Sequence, residues 1–313
     1  MRVLIAEDDP VSRRLLESTL RQWDFQPVAV ADGQAAWDVL RRPGAPGLVI
    51  LDWNMPKMDG VEVCRRLRGR KGGDYSYVIL LTGRGGKENI LSGMDAGADD
   101  YIVKPFDVDE LKVRLNVARR ILDLQADLIA ARDSLREQAT HDGLTGLWNR
   151  RTIFDILDRE LARAEREKHA VAVIMADVDH FKHINDTYGH GVGDTVLQEI
   201  ANRMNIMIRP YDSIGRYGGE EFLIIVPGRG ADFANDVAER ARKTVGEEAI
   251  VADGVEVRAT MSLGVAAACG PQHDDGPKLI ELADQALYEA KRAGRNCSRI
   301  ADAGATRASE QKA

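Results

Sequence analysis

Short apolar runs alternate with amphipathic segments over the first part of the chain. These runs fall at residues 3–6, 27–30, 48–51, 78–81 and 101–103. An alternation of strands with helices is typical of a parallel sheet wrapped by helices on both faces. The pattern predicts a doubly wound α/β domain over residues 1–106.

A different pattern follows, in which residues 107–138 contain no glycine or proline. This segment predicts one long helix. Its later part repeats apolar positions at alternating spacings of three and four, at Ile121, Leu124, Leu128, Ala131, Leu135 and, with a polar side chain, Gln138. Such a seam packs against a partner helix in a coiled coil. We predict a helical stalk over residues 107–140 that joins two copies into a homodimer or a higher oligomer; an amphipathic helix that lies on its own domain is the alternative.

The alternation of helices and strands restarts after His141. Helices are predicted near residues 150–168, 194–208, 231–245 and 277–293, with strands at 170–176 and 260–267. Between them, Arg216-Tyr217 and the apolar run 223–226 flank a Gly-Gly-Glu-Glu turn and predict a hairpin. The pattern indicates a second α/β domain over residues 141–300. The small, polar tail at 301–313 is predicted to be disordered.

Composition limits the classes of function. The chain has 313 residues and is 44% hydrophobic, which favours two domains of ordinary size. A net charge of −7 gives no general basic field, so nucleic acid is not an expected partner. The cysteines Cys64, Cys269 and Cys297 are odd in number and far apart, which indicates a reducing compartment. No segment has the length and apolarity of a membrane span, and we expect a cytoplasmic protein without membrane insertion.

Carboxylates stand at the ends of two predicted strands in the first domain. Glu7 and Asp8 follow the first strand, and Asp52 follows the third. Strand ends of a parallel sheet converge on one edge, so these side chains are expected to meet and to bind a divalent cation. Lys104, after the fifth strand, is the expected positive partner, and Thr82 ends the fourth strand with a hydroxyl. Helix caps and turn aspartates are the plainer alternative for such residues.

These residues resemble a response-regulator receiver domain over the whole first domain. The matching features are Glu7-Asp8, Asp52 in the run Leu-Asp-Trp-Asn-Met-Pro, Thr82, and Tyr101 three residues before Lys104-Pro105. The resemblance implies a flavodoxin-like fold in which Asp52 accepts a phosphoryl group from a histidine kinase or a phosphotransfer protein. It also implies the roles of the neighbouring residues: magnesium binding by Glu7, Asp8 and Asp52, contact of Lys104 with the phosphoryl oxygens, and a switch formed by Thr82 and Tyr101.

A second acidic group is predicted in the C-terminal domain. Asp177 follows the strand at 170–176, and Glu220 and Glu221 occupy the tip of the hairpin. If that strand pairs beside the hairpin, Asp177 and Glu220 face each other and share magnesium. The preceding glycine pair allows positive backbone angles and leaves room for a bulky ligand to approach the main chain. Taken alone, an acidic hairpin tip is more often a soluble turn.

Two cations add to this group. Lys291 and Arg295 are four residues apart, which would place them on one face of the last helix. Cations beside a metal site suit a polyphosphate, because they neutralise its oxygens. The combination suggests a nucleoside triphosphate as the ligand.

Together these residues resemble a GGDEF domain, the catalytic unit of diguanylate cyclases, from residue 142 to about 296. The resemblance implies a palm-like α/β fold similar to that of nucleotidyl cyclases and polymerases. It implies that Asp177 and Glu220 bind magnesium, with manganese as the alternative ion, and that Glu221 assists as metal ligand or base. The remaining implied contacts are from Asn185 and Asp194 to guanine and from Lys182, Lys291 and Arg295 to the phosphates.

Three positions qualify this resemblance. The family's pentapeptide more often has Asp where this chain has Glu220, and we expect activity to survive because the charge is the same. A bulky Trp148 precedes Asn149-Arg150 and leaves the chemistry untouched, although it affects the expected stalk geometry. Asp194 has a plainer role as a helix N-cap, and both roles are compatible.

The resemblance implies a reaction that needs two copies of the domain. Each copy would hold one GTP, and each 3′-hydroxyl would attack the α-phosphate of the other GTP, giving cyclic di-GMP and two pyrophosphates. Arg209 and Asp212 follow a predicted helix, and a surface ion pair is the plain interpretation. In this position they resemble the family's inhibitory site, which implies product binding by Arg209 and Asp212 with Arg240 as a second contact.

The sequence thus favours a diguanylate cyclase that phosphorylation of Asp52 regulates and that its product inhibits. Two alternatives stay open. One is a sensor that binds GTP or a cyclic dinucleotide and signals by protein contact, which loss of Asp177, Glu220 or Lys291 would have indicated. The other is a receiver that only dimerises and is never phosphorylated.

Overall fold

The chain divides into two compact units, Met1–Arg132 and Asp133–Ala313. The computed structural model describes residues 1–70, 75–83, 87–269 and 276–301. The predicted tail therefore lies outside the described residues, apart from Ala301. Within the described ranges, no helix combines the length and the apolarity needed to cross a membrane.

The first unit contains one parallel sheet with strand order β2-β1-β3-β4-β5. Its strands are β1 (Arg2–Ala6), β2 (Gln26–Val30), β3 (Leu48–Asp52), β4 (Tyr77–Thr82) and β5 (Asp100–Val103), and its helices are α1 (Pro10–Gln22), α2 (Gly33–Leu40), α3 (Gly60–Gly69), α4 (Lys87–Asp95) and the start of α5 (Val108–Thr140). Buried apolar clusters lie on both faces of this sheet. The predicted doubly wound domain is confirmed.

Aspartates cap several of these helices. The carboxylates of Asp9 and Asp59 accept hydrogen bonds from the backbone N–H of Ser12 and Glu62, each at 2.7 Å. A carboxylate at this position satisfies an N–H that has no partner inside the helix. The alternative of helix caps therefore holds for Asp9 and Asp59.

Helix α5 is continuous over 33 residues, which confirms the predicted long helix. In its first part Leu111, Leu115 and Ala118 are buried against the first unit. The seam of the later part is exposed: Leu124, Leu128 and Leu135 are 58%, 70% and 65% accessible. An apolar stripe so exposed is free to pack against another helix.

The second unit is built on a five-stranded sheet of order β12-β11-β6-β8-β7. Its elements are α6 (Arg150–Glu167), β6 (Ala170–Val178), α7 (Phe181–Tyr188), α8 (His190–Met207), β7 (Ser213–Arg216), β8 (Glu221–Pro227), α9 (Ala231–Glu247), β9 (Ile250–Ala252), β10 (Val255–Val257), β11 (Met261–Cys269), α10 (Gly276–Arg292) and β12 (Ser298–Ile300). Side chains of the central strand β6 alternate between two buried clusters, one on each face of the sheet. Both faces are thus covered by helices.

The sequence missed some elements of this unit. Helix α7 and the first turn of α8 occupy the segment 181–193, where no helix was predicted, and β9 and β10 form a separate antiparallel hairpin. His180, in a left-handed conformation with φ 56°, stands between β6 and α7, and Gly189, with φ 88°, separates α7 from α8. These two backbone reversals make short elements that a periodicity over longer windows does not resolve.

Candidate functional sites

Carboxylates meet at the carboxyl edge of the sheet in the first unit. Glu7 and Asp8 directly follow β1, and Asp52 ends β3, which pairs with β1. One oxygen from each of these side chains lies within 4.8 Å of the others. A set of hard oxygen ligands at this spacing fits a divalent cation of the magnesium class.

Lys104 balances part of this negative charge. Its Nζ lies 2.7 Å from Oε2 of Glu7 and 3.0 Å from Oδ2 of Asp52. Glu7 is only 1% exposed, and burial raises its pKa even though Lys104 opposes the change. Burial disfavours the charge of Lys104, but its hydrogen bonds to both carboxylates outweigh this and raise its pKa. The lysine therefore stays charged at neutral pH and bridges the two acids.

The two predicted switch residues lie on the strands next to this cluster. Thr82 is buried at the end of β4, and its carbonyl oxygen accepts a hydrogen bond from the N–H of Lys104 at 2.7 Å. Tyr101 lies half-buried on β5, with the guanidinium of Arg114 6.0 Å from the centre of its ring. The structure thus brings Thr82 and Lys104 to the edge that carries Glu7 and Asp52, whereas Tyr101 lies within β5, two residues before that strand ends.

A second acidic cluster forms where β6 meets the β7–β8 hairpin. Strand β6 pairs antiparallel with β8, so that Asp177 is directly opposite Glu221. The prediction that Glu220 faces Asp177 is wrong in register: Glu220 lies one residue further into the turn, where its carbonyl accepts a hydrogen bond from the N–H of Val178 at 3.2 Å. Glu220 nevertheless belongs to the cluster. Burial raises its pKa, and the nearby charge of Asp177 raises it further.

Lys291 of α10 is the cation in direct contact with this cluster, 2.8 Å from Oδ2 of Asp177. Burial raises the pKa of Asp177 and outweighs the opposing effect of Lys291. Burial and the charge of Asp177 also raise the pKa of Glu221. Carboxylates whose ionised forms are all disfavoured have an excess of negative charge that a divalent cation would relieve. Their oxygens are less tightly grouped than those of Glu7, Asp8 and Asp52, the one such group among the described residues. They are nevertheless hard oxygen donors of the class that magnesium and manganese bind.

The glycine pair of the hairpin has a role other than the predicted one. Neither Gly218 nor Gly219 uses the positive φ that glycine allows. An ideal Cβ on Gly218 would lie 2.5 Å from Oε2 of Glu221, whereas open space surrounds the Cβ position of Gly219. The Glu221 carboxylate lies over the turn, so a side chain at Gly218 would require that carboxylate to move.

Arg216 connects this turn to the segment that follows α5. Its guanidinium donates to the carbonyl of Gly219 at 2.7 Å and to Oδ1 of Asp142 at 3.0 Å. Trp148, in the same segment, accepts a hydrogen bond at its carbonyl from the N–H of Arg216, and its ring lies 4.3 Å from that of His141. The bulky Trp148 is thus a packed part of the second unit.

The residues expected to contact guanine lie on α7 and α8. Asn185 is half-buried on α7, and its Oδ1 occupies the space beside Gly193, where an ideal Cβ would come within 1.9 Å. Asp194 is exposed on α8. Its interpretation as a helix N-cap is wrong, because α8 begins at His190 with Gly189 as its N-cap. The carboxylate of Asp194 is therefore not used as a cap.

The residues expected to contact phosphates are arranged less regularly than predicted. Lys182 is exposed on α7. Lys291 and Arg295 do not share a helical face, because α10 ends at Arg292 and the chain then turns at Gly294, with φ 114°. Arg295 lies in that turn in a left-handed conformation, with φ 64°, and its side chain is exposed.

A separate cavity of about 420 Å³ lies between the end of α8 and the start of α9. Its lining includes Arg209, Asp212, Arg229 and Phe233. The guanidinium groups of Arg209 and Arg229 lie 4.5 and 5.1 Å from the centre of the Phe233 ring. The Asp212 carboxylate accepts a hydrogen bond from the backbone N–H of Arg209 at 3.2 Å. This contact involves the main chain of Arg209, whereas the plain interpretation of the sequence was an ion pair between the two side chains.

Arg240 does not belong to the residues that line this cavity; it is exposed further along α9. The structure instead places Arg229 beside Arg209, a residue that the sequence analysis missed. It also missed Phe233 and the buried Asp179. Asp179 carries a readable signal, since it alternates with Asp177 at the end of a buried strand, whereas nothing in the spacing identifies Arg229 or Phe233.

Comparisons with known families match both units. The family model "Diguanylate cyclase, GGDEF domain" matches residues 139–297, and the model "Response regulator receiver domain" matches residues 3–116. The chain is 33% identical over 300 residues to the response regulator PleD of Caulobacter vibrioides, which covers 94% of this chain and 64% of that protein. It is 39% identical over 185 residues to diguanylate cyclase A of Treponema denticola, covering 58% of this chain and 49% of that protein.

Solved structures give the same result for the second unit. The coiled coil and GGDEF domain of DgcB from Caulobacter crescentus, solved in complex with c-di-GMP, is 34% identical with a TM-score of 0.53, covering 59% of this chain and 99% of that one. The chain spans between about half and two thirds of the length of the curated relatives named above. The two family models match adjoining parts of this chain, and the chain belongs to the family of response-regulator proteins with a GGDEF diguanylate cyclase domain.

Proposed function

We propose that this protein condenses two molecules of GTP into cyclic di-GMP and releases two pyrophosphates. The observation that carries the proposal is the cluster of Asp177, Glu220 and Glu221 around Lys291, in a domain of the GGDEF family. Each 3′-oxygen forms a bond to the α-phosphorus of the other GTP while the bond from that phosphorus to pyrophosphate breaks. A bound magnesium or manganese ion would supply charge neutralisation at the phosphoryl group.

The chain's own residues have distinct roles in this reaction. Asp177 and Glu220 hold the cation, and Glu221 assists as a further ligand or as the base that receives the 3′-hydroxyl proton. Asn185 and Asp194 recognise guanine, since a carboxylate accepts hydrogen bonds from N1 and N2 of guanine and repels the acceptors of adenine. Lys182, Lys291 and Arg295 neutralise the triphosphate.

The reaction requires two GTP-loaded domains that face each other, and a homodimer or a higher oligomer supplies them. The exposed seam of α5 at Leu124, Leu128 and Leu135 supports this assembly. The similar DgcB structure includes a coiled coil together with its GGDEF domain. Joining the two sites replaces an encounter of separate nucleotides by an oriented one, which accelerates the reaction.

The first unit regulates the second. A histidine kinase or a phosphotransfer protein phosphorylates Asp52. Glu7, Asp8 and Asp52 would hold magnesium, which would neutralise charge at the phosphoryl group. Lys104 contacts the new phosphoryl oxygens and loosens its contact with Glu7. Thr82 and Tyr101 then change position together, and the population shifts towards the productive assembly. We place residues 1–106 in the receiver, 107–140 in the stalk and 141–300 in the cyclase domain, and we expect all of them in the cytoplasm.

The product is expected to inhibit the enzyme at the cavity between α8 and α9. Arg209 and Asp212 contact the guanine bases there, because a guanidinium both stacks on guanine and donates to it in a fork. Arg229 and Phe233 line the same cavity and add a cation and a ring. Arg240 remains a candidate for a further contact. The DgcB structure, solved in complex with c-di-GMP, is the relative that motivates this ligand.

The test is the identity of the product. The purified protein, stripped of bound nucleotide, is incubated with GTP and magnesium, and the products are identified by mass spectrometry. We expect cyclic di-GMP from GTP and none from ATP, and Glu220→Gln should reduce the yield at least about 100-fold. Intact GTP with the parent protein would instead favour the sensor that binds a nucleotide without turning it over.

A further inference from the structure

Asp179 is a buried carboxylate that the proposed reaction does not use. It is 5% exposed and lies directly after β6, two residues beyond Asp177. Its Oδ1 accepts a hydrogen bond from Ser262 Oγ at 2.6 Å, and its Oδ2 accepts one from Thr260 Oγ1 at 2.7 Å. The backbone N–H of Asn296 also donates to Oδ2, at 3.0 Å. Segments far apart in the sequence thus converge on one side chain.

These partners distinguish Asp179 from the metal-binding cluster. Both of its oxygens already accept hydrogen bonds, and every one of these donors is neutral. Burying a carboxylate against neutral donors is unfavourable unless the bonds are well made. A carboxylate in this environment holds in place the segments that donate to it, which are those of Thr260, Ser262 and Asn296.

The segment held through Asn296 is the turn that carries Arg295. The φ angles of Gly294, Arg295 and Asn296 are 114°, 64° and 45°. Arg295 and Asn296 are not glycines, and a left-handed conformation is unfavourable for both. Such a turn persists only where its surroundings hold it, and left-handed residues of this kind cluster at ligand sites.

Contacts at both ends hold this turn in place. The N–H of Arg295 donates to the carbonyl of Ala290 in α10 at 3.1 Å. At the other end, Arg242 donates to Oδ1 of Asn296 at 2.9 Å, and Asp179 accepts from the Asn296 N–H. The side chain of Arg295 itself remains exposed. Of these contacts, the one to Asp179 ties the turn to the strand that carries Asp177.

We propose that Asp179 is a positioning residue, which holds the turn 294–296 so that the Arg295 guanidinium is directed at the triphosphate beside Asp177. This inference rests on the proposed function, because it assumes that GTP binds at this cluster. Asp179 acts on phosphate binding through Arg295 and does not touch the nucleotide. A change at Asp179 therefore weakens binding of the phosphates and leaves binding of the base unchanged.

The test compares two ligands that cannot react, 3′-deoxy-GTP with magnesium and 3′-deoxyguanosine. Asp179→Asn keeps the size of the side chain but turns an amide N–H towards donors. We expect it to weaken 3′-deoxy-GTP binding about 10-fold and leave 3′-deoxyguanosine binding unchanged. In an Arg295→Ala background the same change should have no further effect, because the two residues act as one unit. Thr260→Val, which removes one donor, should show a smaller loss with the same dependence on Arg295, and it replaces Asp179→Asn if that variant does not fold.

The outcomes separate this inference from the proposed function. Equal losses for both ligands, or a full loss that persists without Arg295, would mean that Asp179 only supports the fold and would overturn the inference. Failure of the parent protein to bind 3′-deoxy-GTP would overturn the proposed function instead.

Discussion

The two acidic sites of this chain use the same components and enclose them differently. In the first unit, Lys104 bridges two carboxylates, and Glu7 is almost completely buried. In the second unit, Lys291 contacts Asp177, which is as buried as Asp52 at 7% exposed. The difference lies in the second acid of each site, since Glu220 is half-buried where Glu7 is 1% exposed. Three other residues that we expect to bind the nucleotide are exposed, namely Lys182, Asp194 and Arg295. An enclosed site suits a small phosphoryl group, and an open one suits a nucleotide that must meet a second one.

The difference follows from the two sheets. In a parallel sheet the ends of neighbouring strands converge, so Glu7 and Asp52 meet at one edge of the sheet. In the second unit the acids come from antiparallel strands, with Asp177 opposite Glu221. One side of that cluster is formed by a hairpin tip, which leaves it open to solvent. The comparison teaches that the fold decides how far a cluster of acids is enclosed.

The largest expected effect is on turnover at the open site. Asp177→Asn keeps the size of the side chain but removes the charge that binds the cation. We expect the rate of cyclic di-GMP formation to fall roughly 10²–10³-fold, measured by chromatography of the product. Asp236→Asn, an exposed position on α9, is the control and should turn over GTP at the parent rate. Near-parent activity of Asp177→Asn would remove this residue from the reaction.

The next effect is on stability and tests the enclosed site. Lys104→Met leaves Glu7 buried beside Asp52 without a cation, which should cost about 3 kcal/mol at pH 7. Burial already raises the pKa of Glu7, so the carboxyl is protonated more readily in the folded state. The contribution of Glu7 to stability is therefore retained at low pH, where its carboxyl is protonated, and lost as pH rises through its pKa. The cost of Lys104→Met should accordingly be smaller at pH 5 than at pH 7. Urea unfolding followed by fluorescence measures it, in a background whose only tryptophan is Trp53 for the first unit and in a second background that keeps only Trp148 for the second unit.

Lys291→Met is the matched change at the open site. Asp177 loses its direct ion pair there, whereas Glu220 and Glu221 lose only a more distant charge. We expect about half the cost, seen in the transition that Trp148 reports. The transition of Trp53 should not change. Equal costs for Lys104→Met and Lys291→Met would contradict the difference in enclosure.

A smaller effect concerns selection of the base. An ideal Cβ on Gly193 would lie 1.9 Å from Oδ1 of Asn185, so Gly193→Ala must displace that amide. We expect GTP affinity to fall about 10-fold, with a smaller preference for GTP over ATP in equilibrium binding. Gly191→Ala lies on the same helix in open space and is the control. If both variants bind GTP equally well, Asn185 does not read the base.

The smallest effect is on stability without metal. Burial and the charge of Asp177 raise the pKa of Glu220, so its ionised form disfavours the folded state as pH rises through that pKa. In a chelator at pH 8, Glu220→Gln should raise the melting temperature of the second unit by about 1–3 °C, and by less at pH 4. Glu247→Gln, exposed on α9, should change neither value. A lower melting temperature for Glu220→Gln at pH 8 would show that the ionised form of Glu220 does not destabilise the folded state.

The acids at strand ends could be predicted, because their position in the sequence directly after an apolar run places them at an edge of a sheet. A strand followed by an acid, as at Asp52 and Asp177, identifies the edge at which that acid lies. Residues brought in by chain reversals could not be placed. The reversal at Gly189 and the turn at Gly294 redirect the chain within a few residues, so Asp194 and Arg295 were assigned to the wrong local structure. The register of the hairpin was also predicted wrongly, because periodicity does not show which of the adjacent acids Glu220 and Glu221 lies opposite Asp177.

The most direct test of the account asks whether the enclosed site controls the open one. The stripped protein is given GTP and magnesium with and without beryllofluoride, which mimics a phosphoryl group on Asp52, while light scattering follows the mass of the assembly. We predict faster formation of cyclic di-GMP per chain with the mimic, together with growth to a dimer or larger assembly. An unchanged rate and mass in both conditions would contradict control of the cyclase by Asp52.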